Sequence, residues 1–349
     1  MSEVLTEVRD GVGRITLNRP KALNALSLGM IRDLTSTLLD WRGDAAVRQV
    51  LVRGTGKEGP FGAFCAGGDI RFFHQVALAG DPALEDFFTE EYRLNHLIHH
   101  YPKPYIAFLD GIVMGGGMGI SQGARLRLVT ERTKMGMPET NIGLFPDVGG
   151  GYFLSRCPGR LGEYLALTGQ VFGAQDALYA GLADTLVASA ELAPLWDQPA
   201  GMPAMKTDAP DAPLARVRGE IDRFFALESV PAIVQALEAD GSAWASETAA
   251  LLRKRSPLML HVTLEQLRRA RVMPLADDLR MERDMMRHCF HLRPGTASET
   301  VEGIRALAVD KDHSPKWNPA RIEDVTPGMV DAFFVSPWPP HAHPLQALA

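Results

Sequence analysis

The sequence predicts an α/β fold that passes into a helical C-terminal region. Three observations predict it. In the first half, short apolar runs alternate with segments whose apolar residues recur every three or four positions, the pattern of strands followed by helices. Two glycine-rich segments, at 64–70 and 111–119, each follow such a strand. Beyond residue 213 the helical period is almost unbroken.

Residues 4–8 and 12–17 alternate around Asp10-Gly11 and read as a hairpin. Asn18-Arg19-Pro20 makes a turn. Ser27 then caps a helix to Trp41, with Ile31, Leu34 and Leu38 on one face. A buried strand at 47–52 leads into the glycine-rich loop 54–68, and a helix is expected over 82–100. The strand Tyr105–Leu109, the glycine segment 111–123 and a strand at 126–130 follow. Short helices are expected at 150–155, 161–168 and 174–180. Between Pro194 and Pro213 the composition shifts to Pro, Ala, Asp and Met, as in a linker or a long surface loop. Helices are then expected at 214–226, 231–237, 243–254, 258–270, 275–287 and 298–307. The organisation read from these elements is an α/β core over 1–193, a linker over 194–213, a helical region over 214–335 and a flexible tail over 336–349.

A chain of 349 residues with 46% hydrophobic and 22% charged residues is expected to be a soluble globular protein with a sizeable core. The net charge of −6 leaves no basic surplus for nucleic acid. Two local clusters, Arg253-Lys254-Arg255 and Arg268-Arg269-Ala270-Arg271, read either as solvated helix faces or as contacts for a phosphate-bearing ligand. The three cysteines, Cys65, Cys157 and Cys289, show no metal-ligand spacing and point to a reducing compartment. Residues 1–10 are acidic and lack the apolar stretch of a signal peptide, and no apolar run is long enough to span a membrane, so a cytoplasmic protein is expected.

The segment 137–153 carries two acids, Glu139 and Asp147, each directly after a proline. They are eight residues apart, too far for one helical face, so a turn at 141–143 has to bring them together. The apolar residues Ile142, Leu144 and Phe145 between them imply a buried loop, where a carboxyl's proton affinity rises. The plainer reading makes Asp147 the cap of a helix beginning at Val148 and Glu139 a solvated acid. Glu91 is out of place in the stripe Leu84, Phe87, Phe88, Leu94 and Ile98. It either pairs inside that stripe or points to solvent from its edge. The glycine segments lack a Gly-Lys-Ser/Thr ending and do not fit the dinucleotide fingerprint. They read as two tight turns, or as two donor loops whose N–H groups hold one developing oxyanion.

These residues together resemble the crotonase (enoyl-CoA hydratase/isomerase) superfamily. The resemblance runs through residues 13–20, 23–26, 64–70, 87–92, 114–119, 137–153 and 310–317. Phe145-Pro146-Asp147-Val148-Gly149-Gly150-Gly151 and Ser314-Pro315-Lys316-Trp317 are similar to the 3-hydroxyisobutyryl-CoA hydrolase branch of valine breakdown. The resemblance implies a ββα spiral core and an acyl-CoA thioester as substrate, with CoA belonging to the substrate and no metal or redox cofactor. It further implies that the Gly68 and Gly116 N–H groups polarise the thioester carbonyl. Glu139 matches the superfamily's working acid, Asp147 the hydrolase branch's second acid, and Glu91 its helical substrate-site carboxylate. Lys311 is either a CoA phosphate contact or part of an ion pair. Trimers or hexamers are common in the superfamily.

Two departures from the hydratase pattern matter. Hydratases carry a second glutamate where this chain has Gly119, and glycine where it has Asp147. Hydrolysis is therefore expected over hydration or isomerisation, and a non-catalytic acyl-CoA-binding role is disfavoured by the retained acid pair. A further departure lies before Val301, where the hydrolases usually carry an Asp-Phe pair and this chain has Arg293-Pro294-Gly295-Thr296-Ala297-Ser298-Glu299-Thr300.

Overall fold

Strand pairing begins where the sequence alternates. In the computed structural model, which describes residues 2–349, Val4–Arg9 (β1) and Val12–Leu17 (β2) form an antiparallel hairpin. Asp10 (φ +57) and Gly11 (φ +79) make its turn in the left-handed region that such short connections require. The remaining strands are Gln49–Gly54 (β3), Tyr105–Leu109 (β4), Ile112–Met114 (β5), Leu126–Val129 (β6), Lys134–Gly136 (β7) and Thr185–Leu186 (β8). A six-stranded sheet runs in the order β1-β2-β3-β4-β6-β8, parallel throughout except for the hairpin. β5 and β7 pair in parallel as a second, smaller sheet.

The chain divides into two compact units. The first comprises the residues up to Gly68, Glu90–Gly136 and Val171–Arg216, and it holds every strand. Its sheet buries β2 along its whole length, not on alternate residues. Where both faces of a strand are covered, the two-residue period disappears. Leu51, Ile106, Phe108 and Leu128 of this sheet pack with Trp196, the Phe108 ring edge-on to it at 5.4 Å. Arg14 is buried in the same unit because its guanidinium finds three backbone carbonyls, those of Arg9, Trp196 and Asp197.

The second unit, Asp69–Thr89, Met137–Gln170 and Val217–Ala349, is helical. Its helices start where expected, since Ser229, Ser242 and Ser256 each accept the N–H three residues on. Phe73, Phe87, Phe88 and Phe290 form an aromatic cluster with centroid separations of 4.6–5.8 Å. Arg283 is buried there, donating to Thr89 Oγ1 at 3.0 Å and pairing with Glu85.

The helix Ile70–Ala79, capped by Asp69, opens directly after the first glycine segment; β7 and β8 were not expected. The single helix expected at 298–307 is instead Glu299–Ile304, followed by a wider π-type turn over Arg305–Val309.

Candidate functional site

In the strand-bearing unit, the two glycine segments lie side by side. Phe64 and Cys65 both donate to Ile112 O, and Met114 donates back to Cys65 O at 3.0 Å. Leu26 N bonds Gly67 O at 2.8 Å. This ladder sets Gly67 (φ +105) against the start of the helix Gly116–Gln122. A Cβ on Gly67 would stand 3.3 Å from Met114 O and 3.6 Å from Gly116 N. Gly115 (φ +48) ends β5 sharply enough for that helix to begin at once, leaving the Gly116 N–H in the first turn without an intrahelical partner.

Glu91 completes this group. It is only 2% exposed, so it belongs to the apolar stripe and does not point to solvent from its edge. Its Oε1 would lie 2.5 Å from a Cβ placed on Gly116. Burial pushes the Cys65 thiol up to about 12, opposed by hydrogen bonding from the Gly67 backbone and helped by the Glu91 charge. Gly68, Gly116 and Glu91 are therefore brought together, and backbone N–H groups on such turns can hold a developing negative charge.

In the helical unit, Pro138 leads into a 3₁₀ turn, Glu139–Ile142, closed by Gly143 in the left-handed region (φ +67). The Leu144 N–H returns to Glu139 O at 3.0 Å, so the turn expected at 141–143 is present. It is fastened from outside: Thr300 Oγ1 donates to Gly143 O at 2.7 Å, and Ser256 N donates to Thr140 O at 3.0 Å. A Cβ on Gly143 would come within 2.2 Å of Glu299 O, so only glycine allows this approach. The departure before Val301 thus leaves Thr300 serving the Glu139 turn. Glu139 is 7% exposed, and its Oε2 has no hydrogen-bond partner among the described residues. Burial, and next the Asp147 charge, hold its carboxyl well above the usual range.

Asp147 is 6% exposed and does not cap a helix from Val148. The helix begins at Gly150, its N-cap residue is Gly149, and the Asp147 backbone carbonyl accepts Gly150 N at 2.7 Å. Between them Val148 lies at φ +57, a conformation that costs a β-branched residue about 1–3 kcal/mol and marks functional turns more often than structural ones. The N–H groups beyond it run to two buried acids, Asp278 and Glu282, from the helix Leu275–His291. Sequence reasoning missed both. The available signal was their spacing, since Asp278, Glu282, Met285 and Cys289 fall at three- and four-residue steps on one buried face.

Of the basic clusters, Arg268, Arg269 and Arg271 are engaged by Leu227 O, Glu265 and Glu163. Arg253, Lys254 and Arg255 line a cavity of about 360 Å³ with Asn141, His313 and Trp317. Arg253 is paired there with Glu238 and Glu323, and Arg255 donates to Asn141 Oδ1 at 2.7 Å. No helix among the described residues is long and apolar enough to cross a membrane.

Comparison with known proteins shows the family and the fold. The sequence signature described as enoyl-CoA hydratase/isomerase matches residues 12–334. The chain is 42% identical over 341 residues to the 3-hydroxyisobutyryl-CoA hydrolase, mitochondrial, of Xenopus tropicalis, covering 93% of this chain and 86% of that protein. The human protein of the same name is 39% identical over 351 residues, with 96% and 89% covered. Among solved structures, an enoyl-CoA hydratase from Rhodobacter sphaeroides 2.4.1 superposes with a TM-score of 0.88 at 39% identity, covering 96% of this chain and 98% of that one. A carnitinyl-CoA dehydratase from Mycobacterium thermoresistibile gives 0.88 at 41%, covering 96% and 97%. The fold is the crotonase fold, and the chain belongs to the enoyl-CoA hydratase/isomerase family.

Proposed function

We propose that the protein hydrolyses a short 3-hydroxyacyl-CoA thioester, 3-hydroxyisobutyryl-CoA, to 3-hydroxyisobutyrate and free CoA, as a step of valine breakdown. The observation that carries this reading is the buried Glu139, whose proton affinity is raised by burial and by Asp147. A carboxyl tuned in this way suits proton transfer or nucleophilic attack near neutral pH. The curated relatives at 39–42% identity that bear the hydrolase name support it.

In this reading the Gly68 and Gly116 N–H groups stabilise the oxyanion formed when the thioester carbonyl is attacked. Two routes are open to Glu139. It attacks the carbonyl carbon itself, expelling CoA thiolate and leaving an anhydride for water to open, or it takes a proton from the attacking water. Asp147, assisted by Glu91, holds the 3-hydroxyl or shares proton transfer with Glu139. Such hydroxyl recognition disfavours chains that lack the group, because the site's own polar atoms would be left unpaired. CoA enters as part of the substrate, and no metal or redox group takes part. The sparse, unpaired cysteines support a reducing compartment, the cytoplasm in our reading, whereas the vertebrate relatives carry "mitochondrial" in their names. A trimer or hexamer is the family expectation for its assembly.

The names of the two solved structures favour a second reading, hydration or dehydration of an enoyl-CoA. Gly119, buried in the helix Gly116–Gln122 where a hydratase would carry its second glutamate, speaks against it. Incubation with 3-hydroxyisobutyryl-CoA and, separately, crotonyl-CoA distinguishes the two. Thiol release from the first alone is the expected result. Loss of enoyl absorbance without thiol would sink the hydrolase reading, and binding without turnover would leave a scaffold. Glu139→Gln and Asp147→Asn are each expected to abolish most turnover while CoA affinity is kept.

A further inference from the structure

Asp147 precedes a turn that its own sequence does not favour, with Val148 at φ +57 and Gly149 at φ +85. Such a turn persists only when its surroundings hold it. The helix Leu275–His291 directs two carboxyls, one helical turn apart, onto it. Glu282 Oε2 accepts the Gly149 N–H at 2.7 Å, and its Oε1 accepts the Gly151 N–H at 2.8 Å. Asp278 Oδ2 accepts the Tyr152 N–H at 2.9 Å. Gln266 Nε2, on the helix Pro257–Ala270, bridges Glu282 Oε1 (3.0 Å) to Pro146 O (2.7 Å). Residues on both sides of Asp147 are thus fastened to one buried group. The fit is tight, since a Cβ on Gly151 would lie 2.4 Å from Asp278 Oδ1.

Capping the short helix Gly150–Leu154 does not explain this arrangement. A serine or aspartate at 149 would satisfy an orphan donor locally. Two carboxyls with no exposed surface are a costly substitute, because desolvation penalises their charge. Burial raises the proton affinity of both, and the charged groups facing the pair are Asp147 and Arg156. Three donors converge on Glu282: the Gly149 and Gly151 N–H groups and Gln266 Nε2.

We propose that Asp278 and Glu282 are positioning residues: together they clamp the Gly149, Gly151 and Tyr152 N–H groups, hold the left-handed Val148–Gly149 turn, and so fix the direction in which the Asp147 carboxyl is presented. The catalytic consequence rests on the function proposed above, in which Asp147 holds the substrate hydroxyl or shares proton transfer with Glu139.

Glu282→Gln keeps the volume but turns an NH₂ toward one of the glycine N–H donors, so one clamp contact is lost. With 3-hydroxyisobutyryl-CoA as the probe, its kcat is expected to fall about 100-fold, the cost of a 1 Å misplacement, while KM stays within about twofold. Asp278→Asn, which touches the single Tyr152 contact, is expected to lose about tenfold and carries the same comparison if Glu282→Gln does not fold. Because Glu282 acts through Asp147, Glu282→Gln should cost nothing further in an Asp147→Asn background. Hydrogen exchange read by mass spectrometry needs no substrate: peptides covering 147–152 should exchange faster in Glu282→Gln, with the rest of the chain unchanged. Unaltered exchange there, wild-type kcat in Glu282→Gln, or a full additional loss in the double variant would each overturn the proposal. If the wild-type protein releases no thiol, the hydrolase reading falls by itself, and the exchange measurement still decides the clamp.

Discussion

Gly116→Ala separates chemistry from folding in this protein. Gly116 has ordinary helical geometry, so alanine is no backbone problem there and gains up to about 1 kcal/mol of helix propensity. The obstacle is spatial. The added methyl would lie 2.5 Å from Glu91 Oε1 and 3.1 Å from Leu26 Cδ1. Ordinary contact needs about 3.5 Å, so either the Glu91 carboxyl or the helix start must give by about 1 Å. The carboxyl is the far end of a flexible side chain and yields more cheaply than backbone. Stability should therefore change little. A displacement of about 1 Å among catalytic groups costs on the order of 100-fold, equivalent to about 2.7 kcal/mol of transition-state stabilisation. The assay is steady-state thiol release from 3-hydroxyisobutyryl-CoA, with a thermal melt on the same preparation. Gly117→Ala is the comparison, because its methyl would meet Cys65 O, a backbone atom, at 2.4 Å and should damage folding itself. A Gly116→Ala enzyme within about threefold of wild-type kcat, or two variants that melt alike, would refute the reasoning.

Because Glu139 must ionise to act as base or nucleophile, and burial and Asp147 oppose that, kcat/KM should rise with pH through its elevated pKa; Asp147→Asn should move that limb to lower pH in whatever activity remains. The same elevation makes Glu139 a stabilising group below its unfolded pKa and a liability as pH rises through the folded one, so Glu139→Gln should melt above wild type at pH 8 and by a smaller margin at pH 5. Glu85 is the opposite case: burial would raise it, but His291, Arg283 and Arg287 bring it from 4.5 down to about 2. Its contribution, up to about 3 kcal/mol, is present above pH 4.5 and lost as pH falls toward 2, so the deficit of Glu85→Gln in denaturant melts should shrink over that window. The three buried cysteines should not react with a thiol reagent in the native protein and should all react after denaturation; labelling of the native chain would contradict the burial of Cys65, whose thiol is pushed up to about 12.

Much of the fold could be read from local pattern, and the failures share one cause. Tyr105–Leu109 was legible because an apolar run is bounded by Pro104 on one side and Asp110-Gly111 on the other. Ser27, Ser229, Ser242 and Ser256 announce helix starts by a mechanism internal to a few residues. β7 and β8 were not legible, because strands of three and two residues carry no period. They exist through their pairing with β5 and β6, which no local window contains.

The site divides along the same line. Glu91 was conspicuous because a carboxylate in an apolar stripe contradicts its neighbours, and the contradiction is visible in sequence. Glu139 and Asp147 were conspicuous because each follows a proline in an otherwise apolar segment. Asp278 and Glu282 contradict nothing nearby. They stand among Asp277, Arg280, Arg283 and Arg287, where acids on a charged helix read as a solvated face. What makes them buried and hydrogen-bonded is a set of backbone N–H groups more than a hundred residues earlier in the chain, on a turn that only tertiary packing holds in its left-handed form. Residues proposed to touch the substrate are thus the ones whose local chemistry looks wrong. Residues that position them can look ordinary until the segment they hold is in place, and here that segment is the one carrying Asp147.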